Sequence, residues 1–215
     1  RFLTQMVYHF WAVSQLKRTY SPSPEQPVNV SVPRGNYENL TAGLLAKRMG
    51  LGIDHFIAAA NANNSFPNYL TTGSYSPKPS IATLSNAMDV GAPSNVRRID
   101  ALYDSDPKRI AHDVHSGSFS DQDCLQTIDY VYNKYRYILD PHGAIGYKAL
   151  SLAPEQGISI FLETAHPIKF KEVVEAVIPD QVTMPSHVEG NLNEEFILSL
   201  NKDYSTFKEY LISSR

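Results

Sequence analysis

Cysteine is nearly missing from this chain: Cys124 is the only one in 215 residues. That excludes a disulfide framework within the chain and suits a reducing compartment, the cytoplasm. Cys124 falls in a helical pattern and reads as a small core or surface residue, not a nucleophile. No apolar run approaches the roughly 20 residues of a membrane span, and no signal-peptide pattern is visible. Neither sign of charge dominates, with 19 Lys and Arg against 22 Asp and Glu and a net charge of −3. Nucleic acid and anionic membranes therefore lose their usual electrostatic footprint, and no charge block marks an interaction tail. No metal site is expected, because His142 and His166 each stand beside a proline without ligand spacing.

What is present suits a globular α/β protein. Apolar residues make up 42%, enough for a sizeable core. Phe2, Leu3, Met6, Val7, Phe10, Trp11 and Val13 recur at helical spacing, so residues 2–17 read as a helix. Three prolines then enforce a loop over residues 20–27. From there strands and helices alternate. Strands are expected at 28–32, 55–59, 137–139 and 158–162, the last apolar enough for burial on both faces. Helices are expected at 39–49, near 67–70, from the cap Ser94 to 103, and after the cap Ser120. Asp123, three residues beyond Ser120, makes a weak capping box. Further helices start at Pro141 and Pro167, and two short ones lie near 193–200 and 204–213. This alternation predicts a three-layer αβα fold with a largely parallel sheet.

Ligands of such sheets bind at the carboxyl ends of strands. Three such ends carry polar or glycine-bearing turns: residues 33–39, 140–143 and 163–167. The first is the most informative. Val32-Pro33-Arg34-Gly35-Asn36-Tyr37-Glu38-Asn39-Leu40-Thr41-Ala42-Gly43 runs from a β-branched strand through a glycine turn into a helix. Free N–H groups and the helix dipole favour an anion there, and Gly35 permits close approach of backbone. Asn36 and Asn39 add side-chain donors. An ordinarily capped turn is the bland alternative. Thr164, likewise, reads on its own as a helix N-cap.

The string resembles the phosphate loop of threonine synthases, which are fold-type II pyridoxal-phosphate enzymes. Further segments follow in that family's order: Ala60-Asn61-Ala62-Asn63-Asn64-Ser65, Tyr75-Ser76-Pro77-Lys78-Pro79, Ala82-Thr83-Leu84-Ser85-Asn86-Ala87-Met88-Asp89-Val90, Pro93-Ser94-Asn95, Asp140-Pro141-His142-Gly143-Ala144 and Glu163-Thr164-Ala165-His166-Pro167. The resemblance implies pyridoxal 5'-phosphate as cofactor. It assigns Gly35, Asn36, Tyr37 and Asn39 to the cofactor phosphate, and the Thr164 hydroxyl to the pyridine nitrogen. It implies conversion of O-phospho-L-homoserine and water to L-threonine and phosphate, by γ-elimination of phosphate and addition of water at the β carbon. Lys78, Asp89 and Arg98 lie in family-like segments but carry no assigned role.

Two departures stand out. Glu38 occupies a position where the family usually has glycine. A carboxylate suits the first turn of a helix but opposes a phosphate, and would carry strain if φ were positive there. The second departure is the missing Schiff-base lysine. No lysine here matches the family's context for it, so no catalytic residue is assigned. Because the amphipathic pattern starts at once and the resemblance begins midway along the family, the chain is expected to be the C-terminal half of a longer protein. Residues 1–27 would be a helix and linker from the preceding domain, and 28–215 the cofactor-phosphate-binding α/β domain. Expected partners are the substrate and the missing N-terminal half. Another fold-type II lyase and a non-catalytic phosphate-binding module remain the alternative readings.

Overall fold

In the computed structural model, which describes residues 2–23, 25–154, 157–186 and 199–213, the β-branched run after the prolines becomes the strand β1 (Val28–Pro33), buried along its whole length. It pairs in parallel with β2 (His55–Ala60) on one side and β4 (Ile158–Phe161) on the other. A further strand, β3 (Val114–Ser118), pairs in parallel with β2, so the sheet order is β3-β2-β1-β4.

Helices cover both faces. On one lie α1 (Phe2–Tyr20), α2 (Glu38–Arg48), α3 (Ser65–Thr72), α4 (Val96–Leu102) and α5 (Pro107–Asp113). Val30, Val32 and Phe56 from the strands share a core there with Leu40, Leu44, Ile99 and Ile110. The opposite face carries α6 (Asp121–Tyr135), α7 (Pro141–Lys148) and α8 (Lys171–Glu175). Ile57 and Ala59 meet Ile128, Ile145 and Val174 on that side. The alternation of side chains along β2 thus feeds two separate cores, as a sheet buried between two helical layers requires. The chain divides into two compact units, Arg1–Val182 and Thr183–Arg215. In the second, the helix Tyr204–Ser213 begins beside Asp203, whose Oδ2 accepts from the Thr206 N–H at 3.0 Å.

Several expectations are corrected. Residues 137–139 form no strand. They are a three-residue bridge between Arg136, the left-handed cap of α6, and Asp140, the N-cap of α7, too short for a ladder of their own. The fourth strand is β3 instead. β4 lies at the sheet edge with Ser159 exposed, so it is not buried on both faces. Helix α4 starts one residue later than expected, with Asn95 at its N-cap and no side-chain cap bond. Ser120 does cap α6, and with Asp123 it forms a full capping box. Most of the helix expected over 193–200 lies outside the described residues.

The long connection between α3 and α4 is fixed by a cluster of polar contacts as well as by Met88, which is buried in the core. Asp89 Oδ1 accepts from Asn61 Nδ2 at 2.8 Å, Asn63 Nδ2 at 3.1 Å and Thr83 Oγ1 at 2.7 Å, while Oδ2 accepts from the Thr83 N–H at 2.9 Å. The connection then folds back so tightly that a Cβ on Gly91 would stand 1.9 Å from the Lys78 carbonyl oxygen and 2.8 Å from the Pro79 carbonyl carbon. Both are backbone atoms and cannot step aside. Gly91→Ala is therefore expected to lower stability by about 3 kcal/mol. Urea denaturation checks this, as a fall in midpoint at unchanged slope.

Candidate functional site

At the carboxyl ends of β1 and β4 a pocket of about 600 Å³ opens between the sheet and the N-terminal half of α1. Gln5, Tyr8 and Trp11 of α1 form one wall; Asn39, Glu163 and Thr164 form the other. Asn39 lies in the first turn of α2, and Glu163 and Thr164 follow β4 directly. Two of the expected site residues, Asn39 and Thr164, thus line one cavity although 124 positions separate them in sequence. Three of the lining side chains carry a buried oxygen without a hydrogen-bond partner: Gln5 Oε1, Asn39 Oδ1 and Glu163 Oε2. Such atoms are expensive to leave unmet; Gln5 Oε1 and Asn39 Oδ1 suit a polar guest, while Glu163 Oε2 lies over Gly143.

The turn before α2 explains why its helix end stays open to an anion. Tyr37 is the N-cap residue and contributes no side-chain cap. The first-turn N–H groups therefore keep no intrahelical acceptor. Tyr37 sits in the left-handed region, at φ 57° and ψ 24°. The backbone strain considered for Glu38 belongs one residue earlier, and Glu38 itself is the first helical residue. Tyr37 tolerates the geometry because its ring is buried against Phe66 at a centroid distance of 4.6 Å. Burial also pushes its hydroxyl well above the usual tyrosine range.

Gly35 and Asn36 occupy the turn itself. A Cβ on Gly35 would stand 3.0 Å from the Ala87 carbonyl oxygen, so the loop residue Ala87 closes directly on it. The Asn36 amide is engaged at both ends by Ser94: Nδ2 donates to Ser94 Oγ at 2.9 Å, and Oδ1 accepts from the Ser94 N–H at 2.6 Å. Asn95 Nδ2 donates to the Asn36 carbonyl at 2.7 Å. In this arrangement the Asn36 side chain shapes the turn, and of this turn only Asn39 lines the pocket. Ser94, expected as a helix cap, spends its hydroxyl here.

Arg34 is the residue that sequence reasoning passed over. It is fully buried directly before the turn. Its guanidinium donates to the Val90 carbonyl and, at 3.5 Å, to the Tyr37 hydroxyl. Burial lowers its pKa, with Tyr37, Tyr75 and Asp89 opposing, yet a guanidinium stays charged at any physiological pH. Its Nε has no partner. A buried positive charge thus stands behind the anion-facing turn. The signal in sequence was an arginine inside an otherwise apolar strand exit.

The remaining candidates have structural partners. His142 is buried, with Nδ1 donating to Asp140 Oδ1 at 2.6 Å and Nε2 accepting from the Ala87 N–H at 3.2 Å. His166, not Thr164, caps the helical turn after Pro167, accepting from the Ile168 N–H at 3.2 Å. Arg98 donates to Asn95 Oδ1 at 3.0 Å within α4. The Cys124 thiol is buried and pushed up to about 12 by that burial and by Asp121 and Asp140, which leaves it unreactive. No group of three or more metal-ligating side chains occurs among the described residues, and none of their helices is long and apolar enough to cross a membrane.

If Ser94 is what holds Asn36, the two side chains form one energetic unit. Asn36→Ala and Ser94→Ala are each expected to cost about 1–2 kcal/mol of stability. The double variant should cost less than their sum by at least about 0.5 kcal/mol. A double-mutant cycle from denaturant melts checks this, and simple additivity would contradict it.

Residues 143–210 match the family model described as threonine synthase, C-terminal. Over its full length the chain is 42% identical to a threonine synthase of Haemophilus influenzae, of which it covers 49%. It is 40% identical to that of Escherichia coli over 87% of this chain and 43% of that one. Among solved structures, a PLP-bound threonine synthase from Brucella melitensis superposes with a TM-score of 0.85 at 27% identity, covering 98% of this chain and 50% of that one. The threonine synthase of Escherichia coli gives 0.82 at 35% identity, covering 100% and 49%. A maize serine racemase at 14% identity and a TM-score of 0.53 shares the fold alone. The chain spans about half the length of the curated relatives it matches. Whole-length similarity, the matched C-terminal family model and the common α/β architecture agree: the chain belongs to the threonine synthase family and represents the C-terminal part of its fold-type II architecture.

Proposed function

We propose that this chain supplies the half of a threonine synthase that grips the phosphate and pyridine ends of pyridoxal 5'-phosphate. The whole protein then converts O-phospho-L-homoserine and water to L-threonine and phosphate. In this reading residues 1–27 lead in from a preceding domain and residues 28–215 form the cofactor-phosphate-binding domain. The protein works in the cytoplasm, with the relatives' other half as its structural partner. The observation that carries the reading is the pocket shared by Asn39 and Thr164 beside an uncapped helix start.

The residues fit the cofactor chemically. The open N–H groups of the Gly35-Asn36-Tyr37 turn and the first turn of α2 suit a phosphate of charge near −2, and the buried Arg34 adds attraction from behind. Asn39 brings an amide with an unmet oxygen to the same wall. The Thr164 hydroxyl is a neutral companion for a pyridine nitrogen and leaves that nitrogen largely unprotonated. Bound pyridoxal phosphate supplies an electron sink for substrate carbanions. Tyr8 and Trp11, both largely exposed, give the α1 wall an aromatic lining. Glu38, at the start of α2, opposes the phosphate charge, so affinity is the balance of these groups.

Proton movements are assigned to a lysine that this chain does not contain. Among the described residues no lysine lines the pocket. Lys47 is bound to Asp113 at 3.1 Å and to the Asp54 carbonyl, and Lys169 lies over the Phe170 ring. The same observation favours a second reading, a phosphate-binding module without turnover.

Two measurements separate these readings. In cofactor titrations followed by fluorescence, Asn39→Ala and Thr164→Ala should each weaken binding about tenfold, or about 1.4 kcal/mol. Unchanged affinity in both variants would remove the basis for the assignment. Phosphate release from O-phosphohomoserine by the 215-residue chain alone should stay at background. Turnover of about 1 per second, with borohydride fixing the cofactor on Lys47, Lys78 or Lys169, would show that the chain carries its own base.

A further inference from the structure

Beside the pocket lies a buried acid pair that the proposed function leaves unused. Asp140 is fully buried at the N-cap of α7 and holds the His142 N–H at 2.7 Å and the His142 Nδ1 at 2.6 Å, both through Oδ1. Glu163 Oε1 accepts from the Asp140 N–H at 3.1 Å. Each carboxyl keeps one buried oxygen without a partner, Asp140 Oδ2 and Glu163 Oε2. Two ionised carboxylates cannot remain in such contact. One proton between them would satisfy both oxygens at once.

The backbone is built to seat the pair. A Cβ on Gly143 would stand 2.1 Å from Glu163 Oε2, so a side chain there would displace the carboxyl from its seat over the first turn of α7. From there the contacts run to the anion-facing turn. Asp140 orients His142, His142 Nε2 takes the Ala87 N–H, and the Ala87 carbonyl closes on Gly35. Glu163 also lines the pocket next to Thr164.

We propose that Glu163 and Asp140 share a single proton, and that this proton positions the cofactor pocket: it keeps the Glu163 carboxyl over Gly143 and out of the cavity, and keeps the Asp140–His142–Ala87 contacts supporting the Gly35 turn. Loss of the proton drives the two carboxylates apart. Glu163 then turns a negative charge into the pocket that Asn39 and Thr164 line, where a phosphorylated cofactor is disfavoured. Glu163 is in this sense a positioning residue, and the inference rests on the proposed cofactor reading of the pocket.

The charge balance agrees. Burial, then the hydrogen bond with Asp140 and its negative charge, push Glu163 up to about 8. Burial also pushes Asp140 up, but its hydrogen bonds with His142 and Glu163 outweigh that and hold it below the usual carboxylate range. The proton therefore resides on Glu163. The other titratable groups facing it are His142 on α7, Tyr137 on the bridge before it and Tyr8 on the α1 wall. Tyr137 is raised by burial, Glu163 and Asp140, and titrates above this window.

The test compares the purified protein with Glu163→Gln, which keeps the shape and the donor but cannot ionise, and with Gly143→Ala, which displaces the carboxyl sterically. Pyridoxal phosphate affinity is measured from pH 6.5 to 9.5, and thermal stability from pH 4.5 to 8.5. Wild type should lose at least about tenfold in affinity as pH rises through 8, following the one-proton slope. Glu163→Gln should keep its affinity across that range, and Gly143→Ala should bind weakly already at pH 7. The stability sign follows from a carboxyl raised on folding. The native state holds the extra proton between about pH 4.5 and 8, so wild type loses stability as pH rises through that window, and Glu163→Gln should not. The same affinity and stability profiles in wild type and Glu163→Gln would overturn the shared proton. If none of the proteins binds the cofactor at any pH, the cofactor reading fails, while the stability profiles still decide the proton.

Discussion

The half-buried carboxylate of Asp89 is the contact on which the candidate site depends. It draws Asn61 and Asn63, at the end of β2, onto Thr83 in the long connection between α3 and α4. Those four hydrogen bonds, together with Met88 in the core on one face and Tyr75 against the other, fix its position and the contacts it makes. Val90 receives the Arg34 guanidinium, Ala87 closes on Gly35 and reaches His142, and Ser94 and Asn95 hold Asn36. A hydrogen bond to a charged acceptor contributes more than one between neutral groups, which suits a carboxylate to this hub. The polar strings around Asn61 and Asp89 therefore serve geometry first, by presenting a shaped turn to whatever the pocket binds.

Electrostatics around the pocket are a contest decided by burial. On the attractive side stand an uncapped helix start and a guanidinium with no exposed surface. On the repulsive side stand Glu38 in the first turn of α2 and Glu163 on the opposite wall. A buried charge acts through a lower effective dielectric than a half-exposed one, so Arg34 counts for more per unit charge than Glu38. Glu163 is neutral while it holds its proton. Under the proposed shared proton the attractive groups prevail around neutral pH, and the margin narrows as the medium becomes alkaline.

Much of this was legible in the sequence, for identifiable reasons. β1, α2 and β2 announced themselves because a doubly covered parallel strand must be a continuous apolar run and a helix must repeat every three to four residues. The capping box of α6 was legible because it is local, with Ser120 and Asp123 close in sequence. β3 escaped because Val-His-Ser-Gly-Ser has no apolar alternation; it is a strand because β2 offers it a ladder. The bridge over 137–139 misled for the converse reason, since its β-prone residues find no partner strand. Tyr37 shows a third limit: a tyrosine at positive φ carries no local mark, and only the burial of its ring against Phe66 holds it there. Family resemblance named Asn39 and Thr164, but it could not show that Ser94 already occupies the amide of Asn36.

Glu163 and Gly143 make the same point about action at a distance along the chain. Read alone, Glu163 is a polar residue following an apolar strand, and Gly143 an indifferent residue in the first turn of a proline-started helix. Neither has a local reason to be what it is. Their identities become mutually necessary only once β4 is laid beside β1 and α7 crosses the far face of the sheet, bringing the carboxyl to where any Cβ would stand. The glycine lowers the helix propensity of α7 so that an acid can be held at the pocket edge. Asp140 beside it supplies the cap that helps offset that loss, and its hydrogen bond and charge add to the burial that pushes the Glu163 carboxyl up. A single carboxylate thus starts the helix and orients the histidine, and under the proposed shared proton it ties the stability of α7 to the charge state of the pocket.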